Sequence, residues 1–239
     1  MNTILAIEAS SVACSVALLS ETGVRAMHAR TPRAHNRLLL PYADALLEAA
    51  GLTPADVDAV AFGHGPGSFT GLRLAAAFAQ GLAWAHDRPV LGVSSLHVLA
   101  RTVLEDERRD GRALPDHVLV LVDARMDELY ANLYRVDEGG EPVPLGRDAL
   151  CAPEKIAELV PQLGSCMVVG DGLLHEARIP WPEGLRRTLR PDALPHARWL
   201  LHLAAPRLRN GEGGAASLAA PVYLRDETRW RRLGDPVVS

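Results

Sequence analysis

The chain has 239 residues, 48% of them hydrophobic, and a formal charge of −4, a composition that describes an ordinary globular protein and excludes a dominant nucleic-acid surface. No apolar run reaches the about eighteen residues a bilayer span needs, and the N-terminus enters a strand-like run with no basic region or cleavage site, so the cytoplasm is the expected compartment. Cys14, Cys151 and Cys166 are odd in number and never in a Cys-x-x-Cys, which reads as buried thiols. Lys155 is the one lysine, and no two of the nine histidines lie four apart, which removes the commonest helical zinc arrangement.

Alternation predicts three short strands at the start, Ile4 to Ala9, Val12 to Leu19 and Val24 to Ala29, forming a meander. A helix over His35 to Ala50, ended by Gly51, is followed by a strand from Asp58 to Phe62. A glycine loop leads to a helix over Phe69 to His86, then a strand over Pro89 to Gly92 and a helix capped by Ser94 that runs to about Arg109. Three antiparallel strands followed by alternating helix and strand is the ribonuclease-H-like half of the actin, Hsp70 and sugar-kinase superfold. The stretch from Glu105 to Asp116 reads as a linker. Beyond it the pattern restarts with strands over Val118 to Val122, Leu129 to Val136 and, more weakly, Val143 to Leu150, then a helix over Glu154 to Leu163 and a strand over Met167 to Val169. The expected architecture is α/β with two ribonuclease-H-like subdomains, 1–108 and a smaller 109–215, and a tail over 216–239. A last helix from about Pro195 to Leu208 precedes a Gly211 to Gly214 link that reads as flexible.

Two helices are more apolar than one sheet can cover. In the first, Arg37, Asp44 and Glu48 share one stripe and leave Leu38, Tyr42 and Leu46 on the remaining surface. In the second, Arg73 and Gln80 are the polar positions, and small residues such as Ala76 would let another helix approach beside Leu72. A partner surface is the functional reading, and Arg37, Leu38, Tyr42, Leu46, Leu72, Arg73, Ala76 and Gln80 are its candidates.

The run Gly63-His64-Gly65-Pro66-Gly67-Ser68-Phe69-Thr70-Gly71-Leu72-Arg73 is the most specific stretch. Glycine allows close backbone approach, and Ser68 or Thr70 can cap the helix behind it, whose free amides attract anions. The loop lacks the Gly-Lys-Ser/Thr ending of a P-loop and the spacing of a dinucleotide fingerprint. Together with Ile4-Leu5-Ala6-Ile7-Glu8-Ala9-Ser10, Cys14-Ser15-Val16-Ala17-Leu18, Asp123-Ala124-Arg125-Met126-Asp127-Glu128-Leu129-Tyr130 and Pro221-Val222-Tyr223-Leu224-Arg225, it closely resembles the bacterial TsaB (YeaZ) family, a paralogue of the tRNA threonylcarbamoyltransferase subunit TsaD. These pieces run in family order across nearly the whole chain.

The resemblance implies a non-catalytic scaffold of the system that places N6-threonylcarbamoyl on a tRNA adenosine. Its partners would be TsaD in a heterodimer and TsaE in a larger complex, with tRNA met indirectly and a homodimer left open. It implies no intrinsic cofactor and leaves ATP or ADP at the TsaD interface as an option. In kinases of the superfold the first strand turn carries an acid and a glycine at a phosphate. Here Glu8-Ala9-Ser10-Ser11 keeps the acid and hydroxyls without the glycine, so Glu8, Ser10, Ser11, Gly65, Gly67 and Ser68 form at most a weakened nucleotide site. The TsaD metal motif would fall on Ser95 and Leu99, and a leucine cannot ligate. His97 lies on another face and reads as a packed histidine. Asp123 and Arg125 read as a pair locking a turn, while Gly170-Asp171-Gly172 is a turn too short to be specific. The tail from Arg225 to Arg232, four arginines interleaved with Trp230, reads as solvated or partner-docking. Two rival functions remain, a free-standing ATPase or phosphotransferase and a peptidase using Ser68 with His64.

Overall fold

A computed structural model describes residues 3–31, 34–160 and 163–225. Strands β1 (Ile4–Glu8), β2 (Ala13–Ser20) and β3 (Gly23–Arg30) form the expected antiparallel meander. Helix α1 (His35–Glu48), strand β4 (Ala59–Gly65), helix α2 (Phe69–Ala85) and strand β5 (Val90–Ser94) follow, with β4 and β5 parallel to β1 in the order β3-β2-β1-β4-β5. That order, with β2 antiparallel to the other four strands, is the ribonuclease-H-like arrangement.

Alternation along the strands divides the first sheet between two cores. Leu5, Ile7, Val16, Leu18, Val60 and Phe62 meet α1 and α2 on one face. Ile4, Ala6, Ala17, Ala59 and Ala61 point to the other, where helix α4 (Ala197–Arg209) lies with Leu200, Leu201, Ala204 and Leu208.

The second sheet repeats the plan. Strands β6 (His117–Asp123) and β7 (Leu129–Val136) are antiparallel, and the expected third strand splits into β8 (Pro142–Pro144) and β9 (Ala149–Cys151), both paired to β7. Strand β10 (Ser165–Val169) is parallel to β6 and carries a parallel β11 (Arg186–Arg190) at the edge. The expected helix over Glu154 to Leu163 is a 3-10 segment, Pro153–Leu159; Pro161 and Gln162 lie outside the described residues. Helix α3 (Ser95–Arg109) sends Leu96, Leu99, Val103 and Leu104 onto Val118, Val120 and Val169 of this sheet.

Helices α3 and α4 thus cross over relative to a division at residue 108. Helix α3, from the first half, packs on the second sheet, and α4, from the second half, closes the first.

Two expected linkers are structured. Glu105 to Arg109 ends α3, because Arg101 pairs with Glu105 one turn away at 2.8 Å and the Glu107 carboxylate, 2% exposed, is gripped by Arg112 and by Arg190 of β11. Gly214 exchanges two backbone hydrogen bonds with Val90, at 2.8 and 2.9 Å, so the glycine-rich link is pinned to the edge of the first sheet. Cys14 and Cys166 are buried and Cys151 half-buried, all three as free thiols, and burial pushes the Cys166 thiol up to about 12.

Candidate functional site

The loop between β4 and α2 meets the turn after β1, and the contact is made by backbone. The Ser68 amide donates to the Ser10 carbonyl at 2.7 Å, and Ser68 caps α2 by accepting from the Gly71 amide at 3.4 Å. A Cβ on Gly71 would sit 1.8 Å from the Ala9 carbonyl oxygen, one on Gly67 2.5 Å from the Ser10 carbonyl oxygen, and one on Gly63 2.0 Å from Glu8 Oε2. The glycines therefore exist for close approach, as their residue type implies, but the approaching group is the chain's own first turn.

Glu8 is fully buried. Its carboxylate accepts from the Ser10 amide at 2.7 Å and from Ser95 Oγ at 3.1 Å. Burial pushes its pKa up, against the lowering effect of the Ser10 and Ser95 hydrogen bonds. Glu8 thus corrects its sequence assignment: it staples the turn from behind and is sealed off from solvent. Gly65 is corrected too, since it lies off the cleft against Leu72 and the Val222 carbonyl.

Between the lobes lies a cavity of about 1320 Å³. Ser10, Ser11, Gly67 and Ser68, the other four candidates of the weakened nucleotide site, line it from the first lobe, and Asp123, Arg125 and Asp171 from the second. The Asp123 amide donates to Asp171 Oδ1 at 3.0 Å, and Asp123 holds Arg125 in an ion pair at 2.9 Å, so the turn-locking role read from the sequence is the one observed. Desolvation, reinforced by the neighbouring Asp123 charge, pushes the Asp171 carboxyl up.

Ser95 and Leu99 also line the cavity. Ser95 Oγ is engaged with Glu8 and Leu99 offers no donor atom, so these residues do not fit a metal ion. Among the described residues no group of three His, Cys, Asp or Glu side chains is arranged to hold one. His97 packs as expected, its Nε2 2.8 Å from the Pro142 carbonyl and its ring stacked on Tyr134. His64 turns towards Gly92, where a Cβ would lie 2.6 Å from its Nδ1, and Ser68 Oγ caps α2, so the Ser68–His64 pairing a peptidase would need is not formed.

The partner-surface candidates divide. Arg37, Arg73 and Gln80 are exposed and Leu38 and Tyr42 half-buried. Leu46, Leu72 and Ala76 are 5%, 2% and 4% exposed. Those three are corrections, because the apolar side of each helix is used up inside the lobe: Leu46 and Ala76 in the core under the first sheet, Leu72 beneath Gly65. What the two helices present outward includes Leu40, 56% exposed, and Trp84, 72% exposed, neither of which the sequence pattern singled out.

Sequence reasoning also missed Tyr223 and Arg225, which line the cavity. The signal was in view, since both belong to the Pro221 to Arg225 ending, but nothing local says where such a segment docks. Arg225 also corrects the reading of the tail as solvated, since its side chain is 13% exposed and paired with Glu128; Trp230 and the other arginines of that tail lie outside the described residues.

A family model described as TsaD, tRNA N6-adenosine threonylcarbamoyltransferase, matches residues 24–176. The tRNA threonylcarbamoyladenosine biosynthesis protein TsaB of Escherichia coli is 36% identical over 231 residues, covering 96% of this chain and 97% of that protein. Its namesake from Haemophilus influenzae is 33% identical over 238 residues, covering 97% of each. Among solved structures, a Pseudomonas aeruginosa protein described as similar to the peptidase YeaZ superposes with a TM-score of 0.82 at 41% identity, over 94% of this chain and all of that one.

Proposed function

This chain belongs to the TsaB (YeaZ) family of tRNA threonylcarbamoyladenosine biosynthesis proteins, and from that premise we propose that it serves there as a non-catalytic subunit paired with TsaD. The observation that carries this reading is the closed turn: the glycine loop and the first strand turn fill each other's space, with the Ser68 amide on the Ser10 carbonyl and no room for a side chain at Gly71. A kinase or ATPase of this superfold needs those groups turned towards a phosphate.

The pairing surface in this reading is the outward side of α1 and α2, with Arg37, Leu40, Gln80 and Trp84, and it takes TsaD or a second copy of the chain. Exposed aromatic and aliphatic side chains beside arginine are the kind of anchors that interfaces use. TsaE joins the larger assembly, any ATP or ADP sits at the TsaD interface, tRNA is met through the complex, and the cytoplasm is its compartment.

Reconstitution tests this. Leaving the chain out of a mixture of adenylate-forming enzyme, TsaD, TsaE, ATP, threonine, bicarbonate and tRNA should drop modified adenosine to near background, while the chain alone with threonylcarbamoyl-adenylate and tRNA should give none. Leu40→Arg and Trp84→Arg, which alter exposed positions, should fold and fail to hold TsaD. Full modification without the chain, or modification by the chain alone, would sink the scaffold reading.

A further inference from the structure

The last described residues fasten the two lobes together across the cavity. After a one-turn helix, Ala216–Leu218, the chain passes the end of β4, where the Val222 amide donates to the His64 carbonyl at 2.8 Å. The Tyr223 hydroxyl accepts from Arg73 Nε at 3.0 Å, and its ring lies 5.6 Å from that of Phe69, so this part is held by α2 of the first lobe. Two residues on, Arg225 reaches the second lobe. Its Nη2 lies 2.7 Å from Glu128 Oε2 and donates to the carbonyls of Ala124 and Arg125 at 3.0 and 3.2 Å, while Nη1 meets the Met126 sulfur.

The receiving loop holds a backbone shape that local preference disfavours, helped by the Asp123–Arg125 pair and by the Ala124 and Glu128 amides, which donate to the Glu128 and Arg125 carbonyls at 2.9 and 3.1 Å. Arg125, Met126 and Asp127 have φ of 63°, 54° and 59°, three successive left-handed residues with no glycine among them, a conformation that side chains of this handedness avoid. The Arg225 and Glu128 side chains are 13% and 21% exposed, so the pair is largely out of water and shares its cation with two carbonyls, unlike a screened surface pair. Tyr223, Arg225, Arg125 and Met126 all line the cavity.

We propose that residues 219–225 form a strap that holds the lobes closed over the cavity, with Arg225 as its clasp on the left-handed loop. Release of that one guanidinium uncouples the strap from the loop and opens the cleft while both lobes stay folded.

The cavity itself supplies the readout. Leu99 lines it and is 2% exposed, so a thiol introduced by Leu99→Cys in a Cys151→Ser background reports opening through its rate of modification by a maleimide. Cys14 and Cys166, buried in the lobe cores, report unfolding in the same molecule. Arg225→Ala should speed modification at position 99 by about tenfold or more, the scale of losing a charged hydrogen-bond set, with Cys14 and Cys166 unchanged. Val222→Pro, which deletes the amide bonded to His64, should act the same way, and Arg225→Lys, which keeps the charge but not the fork, should fall between. Unchanged reactivity at position 99 in both Arg225→Ala and Val222→Pro would overturn the proposal. So would acceleration of Cys14 and Cys166 in step with position 99, because the segment would then contribute only general stability. The measurement uses the isolated chain, so its outcome is independent of pairing with TsaD.

Discussion

Replacing Gly71 by alanine tests the closed turn with a single methyl group. The added carbon would lie 1.8 Å from the Ala9 carbonyl oxygen and 3.0 Å from its carbon, and both collision partners are backbone, so no side-chain rotation relieves the contact. The loop and the first turn must part by more than an ångström, which breaks the 2.7 Å bond from the Ser68 amide to the Ser10 carbonyl. Overpacking of this kind costs about 1–3 kcal/mol and the lost hydrogen bond about 1 kcal/mol more. The sum, about 2–4 kcal/mol, is a large share of the about 5–15 kcal/mol by which a domain is folded. Gly81 of the same helix supplies the control, since nothing lies within 4 Å of a Cβ there. Gly81→Ala should stabilise by about 0.5–1 kcal/mol through helix propensity. Urea denaturation followed by circular dichroism would move the two midpoints in opposite directions. A Gly71→Ala midpoint equal to or above that of the parent would refute the packing argument.

Glu8 and His196 give two further expectations. At Glu8 the folded pKa is raised above 4.5, so the folded state holds the proton more tightly and stability declines as pH rises through 4.5 towards the folded value. Glu8→Gln keeps an acceptor for the Ser10 amide and should abolish that decline, whereas Glu8→Ala should cost about 2–4 kcal/mol at any pH; denaturation midpoints at pH 5 and pH 8 decide between these outcomes. His196 caps α4 by accepting from the Arg198 amide at 3.1 Å and stacks on His28 at 4.5 Å, and burial, with the His28 and Arg198 charges, pushes it from 6.5 to about 4. Because the folded value is the lower one, its contribution is complete above about 6.5 and is lost as pH falls towards about 4, on the order of 1–2 kcal/mol after allowance for partial solvent screening. His196→Asn retains a capping acceptor and should flatten that slope; an unchanged slope would remove His196 as its source.

The sequence exposed those parts of the fold that are written in local pattern. The meander, the parallel strands behind it, the Ser94 and Ser68 caps and the whole of β7 are legible because alternation and capping chemistry act over a few residues. The destinations of α3 and α4 were not legible, since an apolar stripe states that a helix is covered and not by which sheet. Strand β11, Arg-Arg-Thr-Leu-Arg, shows no alternation and is held by pairing with β10 and by Arg190 on Glu107. At the candidate site the glycines announced close approach correctly, but residue type does not reveal that the approaching atom is the Ala9 carbonyl. Glu8 looked like a ligand-facing acid for the same reason: its burial comes from Ser95 and Gly63, far along the chain.

The crossing of α4 has a consequence for synthesis. Ile4, Ala6, Ala17, Ala59 and Ala61 wait for a cover that is encoded over a hundred residues later, in Leu200 to Leu208. At about 5–20 residues per second a ribosome leaves that sheet face bare for on the order of ten seconds. During that interval the nascent first half carries an apolar surface that only the end of its own message can close, so a transcript interrupted before α4 yields an adhesive fragment in place of a small independent domain.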